Sequence, residues 1–479
     1  MENYPALAAL NDILGVISSF VWGPWLLIPL LLGTGIYLTI RLGGIQFRTL
    51  GRALRHTFMD GDDEDTSQGD ISNYQALTTA LAATVGTGNI VGVATAISIG
   101  GPGALFWIWF TGLVGMASKY SEAYLGVRFR VTDHKGNQMG GPQVYLNRGI
   151  PGALGKTLAF LFALFAAIAS FGIGNLTQAN SVAAGMEDTF GVDPWISGIL
   201  IFVATGATLL GGIKAIGRVT AGFVPLMVTV YVVGGLVALA LMIEEIPAAI
   251  GLIFSDAFSG TSAAGGFLGA SIMMAVRYGV ARGIFSNESG MGSAAIAAAA
   301  AKTSHPTRQG LVSMTQTFID TMIVVSITGL VIVTSGVWDR GPDQAAVMTA
   351  AGFSEVLPGQ WGGTIVSVSL VFFAFSTIIG WSYYGERSAA SLVGGWITVP
   401  YRILFTIVAF FGAITELELV WTFSDIANGL MALPNLIGLL ILSGLVARET
   451  KEYLKFDPHL NKPSTEVMSF TSAHMPGWR

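Results

Sequence analysis

An apolar run long enough to cross a bilayer, residues 76–99, is interrupted near its middle by TVGTGNIVG at residues 84–92. In hydrocarbon, every backbone N–H and C=O group must be paired, so a helix can break at that depth only where protein or a water-filled cavity covers the break. A second apolar run, residues 267–301, is interrupted by FSNESGMGSA at residues 285–294. Interrupted segments at corresponding positions in two halves of a chain are typical of the substrate site of a secondary transporter.

The composition supports a membrane protein. Of the 479 residues, 52% are hydrophobic and only 11% are charged, whereas a soluble domain carries about 25% charged residues. The apolar residues gather in runs near the roughly 20 residues that a bilayer requires. The chain contains no cysteine, which excludes disulfides, thiolate metal sites and thiol catalysis. We therefore predict an all-α integral membrane protein.

The loops between the hydrophobic segments alternate in charge, and basic residues follow the first, third, fifth, seventh and ninth segments. Loops rich in Lys and Arg stay on the cytoplasmic side, so we expect the N-terminus outside and the basic tail inside. This arrangement requires an odd number of spans, about eleven, and predicts one long helix over residues 417–450 that is bent or broken around Asn428 to Pro434. The segments lie near residues 20–40, 71–98, 104–130, 155–187, 195–211, 217–243, 265–302, 307–335, 360–389, 398–414 and 417–450.

Ten predicted spans remain when the first is set aside. The acidic external loop, residues 244–264, divides them into residues 71–243 and residues 265–450, which have opposite orientations and each begin with an interrupted helix. This predicts the five-plus-five inverted repeat of the fold named after the bacterial leucine transporter. The other parts are an N-terminal segment, residues 1–70, with one peripheral span and an acidic cytoplasmic loop, and a cytoplasmic tail, residues 451–479.

The first break would expose free N–H groups at the start of its second half and free carbonyls at the end of its first half. The N–H groups, at the positive end of a helix dipole, suit a carboxylate. We therefore expect the amides around Thr87, Gly88 and Asn89 to bind one. Carbonyl oxygens suit a small hard cation such as Na⁺, and the candidate ligands are the carbonyls of Thr84 and Val85 with the Asn89 side chain.

The second break offers oxygen atoms for an ammonium group. The candidates are the side chains of Ser286 and Asn287 and the backbone carbonyls of the stretch that ends at Gly290. A carboxylate at membrane depth is costly unless it is paired. We therefore expect Glu288 to form an ion pair with Arg282 rather than to bind the ligand directly.

The fourth segment places Asn175 and Gln178 three residues apart, and hence on one helix face, with Phe171 one turn earlier. These side chains either line the pocket or bond neighbouring helices. The sequence supports both interpretations equally.

The ninth segment places Ser376 and Thr377 one turn before Trp381. Adjacent hydroxyls are common contacts between membrane helices, but opposite a broken helix they also suit a sodium site. Asp320, in the eighth segment, is an intramembrane acid without an adjacent base, and so a candidate functional and cation-binding residue; Asp425 is a weaker one.

Residues 72–126, SNYQALTTALAATVGTGNIVGVATAISIGGPGALFWIWFTGLVGMASKYSEAYLG, closely resemble the alanine or glycine:cation symporter family. GIFSNESGMGSA, FIDTMIV and FSTIIGWSYYGERS also resemble it, in the same order. The resemblance implies an importer of alanine, glycine and similar amino acids coupled to Na⁺, or in some members to protons. It further implies that Val85 faces one sodium ion and Asn89 another, that Ser376 and Thr377 complete a sodium site, and that Trp381 limits substrate size.

Our main hypothesis is a secondary transporter that imports alanine and glycine with Na⁺ by alternating access, in the plasma (inner) membrane of a prokaryote. We expect a small-molecule substrate and the lipid bilayer as partners, and no nucleic acid. The first alternative is proton coupling. All five histidines lie in predicted loops or tails, which leaves Asp320, Glu288 and Asp425 as proton carriers.

Two other classes of protein fit the sequence less well. An enzyme is disfavoured because the chain shows no HxxxH pair of metal ligands and no nucleophile beside a histidine. A non-transporting sensor with the same fold is disfavoured because the predicted loops are too short to hold a signalling domain.

Overall fold

The computed structural model describes residues 5–23, 25–59, 69–133, 136–259, 268–415 and 417–475. This part of the chain is almost entirely helical, which confirms the predicted all-α class. The helices that precede the first strand are α1 (Pro5–Val21), α2 (Leu27–Arg41), α3 (Ile45–Phe58), α4 (Asn73–Thr84), α5 (Val91–Gly100) and α6 (Gly103–Arg128). A small antiparallel ribbon follows, in which β1 (Val131–Thr132) pairs with β2 (Gln138–Met139).

The remaining helices complete the bundle. The middle of the chain forms α7 (Pro142–Gly149), α8 (Gly152–Phe171), α9 (Thr177–Phe190), α10 (Pro194–Leu209), α11 (Gly212–Leu241), α12 (Ile246–Ser259) and α13 (Leu268–Asn287). The last part forms α14 (Ala294–Ala299), α15 (Pro306–Thr317), α16 (Ser326–Thr334), α17 (Ala345–Val356), α18 (Trp361–Val393), α19 (Thr398–Ile414), α20 (Leu417–Phe456) and α21 (Ser464–His474). Short 3₁₀ turns cover Thr87–Asn89, Val337–Arg340, Pro342–Gln344 and Gly395–Ile397. Stretches of π-helix, Gly172–Leu176 and Phe318–Val325, join α8 to α9 and α15 to α16.

Within the described residues, six helices are long and apolar enough to cross a membrane. Two bent pairs raise that number to eight if each pair is one span: α2 with α3, bent by 79°, and α4 with the turn and α5, bent by 60°. The second pair is the predicted first broken helix. The total of eleven spans stays a prediction.

The start of α4 is fixed by a capping box. The Ser72 hydroxyl accepts a hydrogen bond from the Gln75 amide at 3.1 Å, and the Gln75 side chain accepts one from the Ser72 amide at 3.1 Å. Each bond satisfies an N–H group that the first turn of a helix leaves without a partner. With this start, the break follows at Val85 and Gly86, three turns later.

The second interrupted segment, α13 with α14, packs against α6. Small residues allow the close approach: a Cβ atom added at Gly126 would lie 2.6 Å from the carbonyl oxygen of Ala295 in α14. Where α6 meets α15, a Cβ atom added at Gly310 would lie 2.8 Å from the ring of Tyr120. Close packing through small residues drives helix association in membranes, so α6 is a rigid support behind the second break.

Residues 417–456 form one continuous helix, which confirms the prediction of a single helix. The helix is not broken around Asn428 to Pro434, where the sequence predicts a bend or a break. The tail then folds back against the start of α15, where Arg308 and Asp457 form a buried ion pair at 2.9 Å. Burial alone would raise the pKa of Asp457, but hydrogen bonds from Arg308 and Tyr453 hold that pKa below its usual value. Thr471 of α21 donates to the carbonyl of Ser304 at 3.1 Å.

Two predictions are corrected. The segment predicted as an external loop, residues 244–264, contains α12, because its apolar face packs on the bundle and Asp256 accepts a bond from the Gly103 amide at 2.8 Å. His56, predicted in a loop, is buried in α3, which is amphipathic. The acidic segment, residues 60–70, lies outside the described residues except for Gly69 and Asp70.

Candidate functional site

The first break is a sharp turn held by its own side chains. The backbone leaves α4 at Val85, forms the 3₁₀ turn Thr87–Asn89 and continues into α5. The Asn89 side-chain oxygen accepts a hydrogen bond from the Gly86 amide at 2.9 Å, which closes the turn. The Gly86 amide, which the break frees, is paired in this way. The Asn89 side-chain nitrogen points away from the turn and donates to Asp320.

Two other helices contact this turn. Gln178 of α9 accepts a hydrogen bond from the Thr87 amide at 3.1 Å. A Cβ atom added at Gly86 would lie 2.4 Å from the Thr377 hydroxyl and 2.9 Å from the Gln178 side-chain oxygen, so the approach requires glycine. The Thr87 hydroxyl is buried and has no hydrogen-bond partner within the described residues.

The paired hydroxyls of α18 meet the end of the first half-helix. Ser376 and Thr377 both donate to the carbonyl oxygen of Ala82, at 3.2 Å and 3.0 Å. Each hydroxyl oxygen also has lone pairs that accept. The structure therefore gathers hard oxygen atoms at the negative end of α4, which is the environment that a small cation prefers.

Asp320 joins the two breaks. Its carboxylate accepts hydrogen bonds from the Asn89 side-chain nitrogen at 2.7 Å and from the Ser286 hydroxyl at 2.9 Å. The Thr321 hydroxyl donates a third bond at 2.9 Å, and itself accepts one from the Asn287 side chain at 3.0 Å. Asp320 is fully buried and lies in the π-helical stretch Phe318–Val325, a type of distortion that often occurs at functional sites.

The breaks also touch each other directly. A Cβ atom added at Gly88 would lie 3.1 Å from the Phe285 ring and 3.1 Å from the Ser286 Cα atom. The first break therefore lies against the last turn of α13. The structure brings Gly88, Asn89, Ser286 and Asp320 into one cluster.

The second break uses backbone conformations that favour glycine. Glu288, Gly290 and Gly292 have φ angles of 56°, 93° and 83°. Glu288 adopts a left-handed conformation that costs energy for a residue with a side chain, and Lys119 donates to its carbonyl oxygen at 3.2 Å. Asn435 of α20 donates to the carbonyl of Gly290 at 2.9 Å.

Glu288 does not pair with Arg282, contrary to the prediction. Arg282 donates to both carboxylate oxygens of Asp425, at 2.9 Å and 2.8 Å, because the chain turns at the end of α13 and carries Glu288 away. Glu288 instead accepts bonds from the Ser293 hydroxyl and, at 2.6 Å, from the indole nitrogen of Trp381.

Trp381 is fully buried between the second break and the π-helical turn before α9. A Cβ atom added at Gly174 would lie 2.1 Å from the Trp381 Cβ atom, so the tryptophan packs directly on that turn. The indole is therefore held at one end by packing and at the other by Glu288. Its position inside the bundle excludes the role of an interfacial anchor.

Phe171 and Asn175 contact α19. The Phe171 ring centroid lies 5.1 Å from that of Tyr401 and 5.4 Å from that of Phe405, and the Asn175 nitrogen donates to the Phe405 carbonyl at 2.7 Å. The π-helical turn changes the helical register between Asn175 and Gln178. Only Gln178 of the three has a described contact with the first break.

Two buried charged residues of α6 were missed by the sequence reasoning. Lys119 and Glu122 are fully buried, and the Glu122 carboxylate accepts bonds from the Gly292 amide at 3.0 Å and from Asn435 at 2.7 Å. Lys119 donates to the Glu288 carbonyl oxygen, at the other end of the same break. A lysine and a glutamate three residues apart inside an apolar run were the available signal, since intramembrane charges mark functional sites.

Residues 7–467 match the model of the sodium:alanine symporter family. The chain belongs to this family. It is 53% identical to the sodium/alanine symporter AgcS of Methanococcus maripaludis over 446 residues, which cover 92% of this chain and 97% of AgcS. It is 36% identical to the probable sodium/glutamine symporter GlnT of Bacillus subtilis over 448 residues, which cover 93% of this chain and 92% of GlnT.

The fold is similar to that of MhsT in complex with L-phenylalanine, with a TM-score of 0.59 and 13% sequence identity over 85% of this chain and 99% of MhsT. This confirms the leucine-transporter type of fold. The family membership shows a sodium-coupled amino-acid symporter in the membrane, with Na⁺ as the co-transported ion, and not an enzyme.

The role of the Thr377 hydroxyl as a sodium ligand can be tested by substitution. Thr377→Ala should raise the sodium concentration for half-maximal amino-acid uptake by roughly five- to hundred-fold, because the loss of one buried polar contact costs about 1–3 kcal/mol. Thr377→Ser keeps the hydroxyl and is the matched control, with a sodium dependence near that of the wild type. An unchanged sodium dependence in Thr377→Ala would remove Thr377 from the ion site.

Proposed function

We propose that the protein imports alanine and glycine together with Na⁺ by alternating access, with the substrate held between the two broken helices. The observation that carries the proposal is the Asp320 carboxylate, which accepts hydrogen bonds from Asn89 of one break and Ser286 of the other. The name of the relative AgcS supports alanine as substrate. The name of GlnT points to glutamine, so membership of the family does not by itself select the small substrates.

The substrate carboxylate binds at the first break in this proposal. The turn formed by Thr87, Gly88 and Asn89 precedes α5, so the positive end of a helix dipole faces the ligand. Its ammonium group binds at the second break, near Ser286 and Asn287, where α13 ends and its last carbonyls lack the next helical turn. The backbone of Gly290 completes that side.

The sodium ions bind beside the substrate. One ion is proposed at the end of α4, near the carbonyls of Thr84 and Val85 and the hydroxyls of Ser376 and Thr377. A second is proposed near Asn89 and the Asp320 carboxylate. Both sets contain oxygen donors, which suit Na⁺.

Coupling follows from the shared break. An ion that holds the first break in its bent conformation also holds the amides that bind the substrate carboxylate. Each ligand therefore raises the affinity of the other by the same factor. We further propose the two inverted repeats at residues 71–243 and 265–450, an external N-terminus and a cytoplasmic C-terminus in the plasma membrane, based on the loop charges.

That Phe171 and Asn175 bind the substrate stays a prediction. Their contacts with α19 give them a second role, which is to pack that helix against the segment around the turn Gly172–Leu176. In the present proposal Gln178 is the residue of this segment that belongs to the substrate site. Its side-chain oxygen accepts a hydrogen bond from the Thr87 amide, at the first break.

Purified protein in proteoliposomes tests the function directly. An inward sodium gradient should drive accumulation of labelled alanine and glycine, and excess unlabelled glutamine should compete weakly. A proton gradient without sodium should give no accumulation. Accumulation driven by protons alone would support the alternative of proton coupling, and stronger transport of glutamine than of alanine would contradict the proposed substrate class.

Trp381 is the proposed limit on substrate size. Trp381→Ala should weaken alanine transport and allow valine or leucine to bind, because each additional methylene buried in the enlarged pocket contributes about 0.8 kcal/mol. Trp381→Phe is the matched variant that keeps most of the bulk but loses the N–H bond to Glu288. It should still exclude leucine. The measurement is competition by each amino acid against labelled alanine.

If Trp381→Ala loses alanine binding and gains no larger amino acid, Trp381 has a structural role. The size limit would then belong to another residue, and Phe171 is the next candidate.

A further inference from the structure

Asn428 of α20 is buried and unpaired. Its side chain is 1% exposed, and neither its amide oxygen nor its amide nitrogen has a hydrogen-bond partner within the described residues. Most buried polar groups in folded proteins are hydrogen-bonded, and an unpaired one is costly enough to require an explanation. A side chain with two unpaired polar groups inside a transporter points to a ligand.

The register of α20 shows what Asn428 faces. Trp421 stacks on Phe285 with ring centroids 4.8 Å apart, Asp425 binds Arg282, and Asn435 binds the Gly290 carbonyl. Steps of three, four and seven residues keep to one helix face. Asn428 therefore lies on the face of α20 that is directed at the second broken segment.

The position along that face matches the level of the two breaks. Asn428 follows Asp425, which pairs with Arg282, and precedes Asn435, which bonds Gly290. Between these two contacts, the second broken segment runs from Arg282 to Gly290 and includes the last turn of α13, around residues 285–287. This is the turn against which Gly88 of the first break lies.

The same helix also borders the turn beneath Trp381. A Cβ atom added at Gly172 would lie 2.8 Å from the Ser424 hydroxyl, and Ser424 is one helical turn before Asn428. The residue is thus placed between the π-helical turn Gly172–Leu176 and the end of α13. Both elements belong to the candidate substrate site.

We infer that Asn428 binds the charged groups of the amino-acid substrate, an inference that rests on the proposed function. The amide oxygen accepts a hydrogen bond from the substrate ammonium, and the amide nitrogen donates one to the substrate carboxylate. Both groups are attached to one carbon atom in an α-amino acid, so one carboxamide can contact both. This makes α20 a third wall of the site, beside the two broken helices, and it binds the part that all α-amino acids share.

The test compares alanine affinity with stability. Asn428→Leu has a similar volume and removes both polar groups. It should weaken alanine binding at saturating sodium at least ten-fold, without lowering the melting temperature of the substrate-free protein, because replacing unpaired polar groups with an apolar side chain is neutral or stabilising. Binding is measured on the purified full-length protein with labelled alanine.

Asn180→Leu is the matched control. Asn180 is also buried, but its amide donates to the carbonyls of Gly412 and Thr415 at 3.3 Å and 2.6 Å. This variant should lower the melting temperature and leave alanine affinity unchanged. If Asn428→Leu does not purify, Asn428→Ala serves in its place, because it also removes both polar groups and should weaken alanine binding at least ten-fold.

The outcomes separate the inference from the proposed function. Alanine binding by the wild type and equal binding by the Asn428 variant would overturn the inference alone. A raised sodium requirement with unchanged alanine affinity at saturating sodium would assign Asn428 to an ion site and also overturn it. Failure of the wild type to bind alanine in sodium would overturn the proposed function itself.

Discussion

The bonds from both broken helices to the Asp320 carboxylate are the interaction on which the site depends. A carboxylate inside a membrane protein is stable only when it is hydrogen-bonded or paired. Here the donors come from Asn89 and Ser286, at 2.7 Å and 2.9 Å, and from the neighbouring Thr321. Because these donors lie at the two breaks, the breaks cannot separate without removing bonds from a buried charge. The geometry of the ligand site and the hydrogen bonding of the Asp320 carboxylate are therefore linked.

Two buried charged residues of α6 hold the second break. Lys119 bonds the Glu288 carbonyl and Glu122 bonds the Gly292 amide, so α6 supports both ends of the turn. Glu288 in turn holds the indole of Trp381 at 2.6 Å. The proposed size filter is thus connected to the second break through one carboxylate. A displacement of Glu288 would therefore remove the hydrogen bond that holds the Trp381 indole.

Much of this site could be predicted from the sequence, because its main features are local. Glycines within an apolar run indicate a break, and the hydroxyls of Ser376 and Thr377 contact the end of α4, while their role as sodium ligands stays a prediction. Asp320 was identified because an acid inside a span is costly. A single helix over residues 417–450 was also predicted, and the structure continues it without a break to Phe456.

The features that were not predicted depend on contacts between distant parts of the chain. Arg282 is near Glu288 in sequence, but it pairs with Asp425, 143 residues away. Lys119 and Glu122 acquire their role only when α6 packs behind the second break. The spacing of Asn175 and Gln178 left two interpretations open, and a π-helical turn that no local pattern indicated shifts the helical register between them.

The central claim is that the Asp320 carboxylate, as part of the second proposed ion site, contributes to the coupling between sodium and substrate, and Asp320→Asn tests it most directly. The variant keeps the shape of the side chain and removes its charge. The measurement is the alanine affinity of the purified protein with and without saturating sodium. The control is Asp256→Asn, which also removes a buried acid, but one that caps the start of α6. The account predicts that sodium raises alanine affinity in the wild type and in the control, and that the increase is clearly smaller in Asp320→Asn, which keeps only the proposed ion site at the end of α4. A full sodium effect in Asp320→Asn would contradict it.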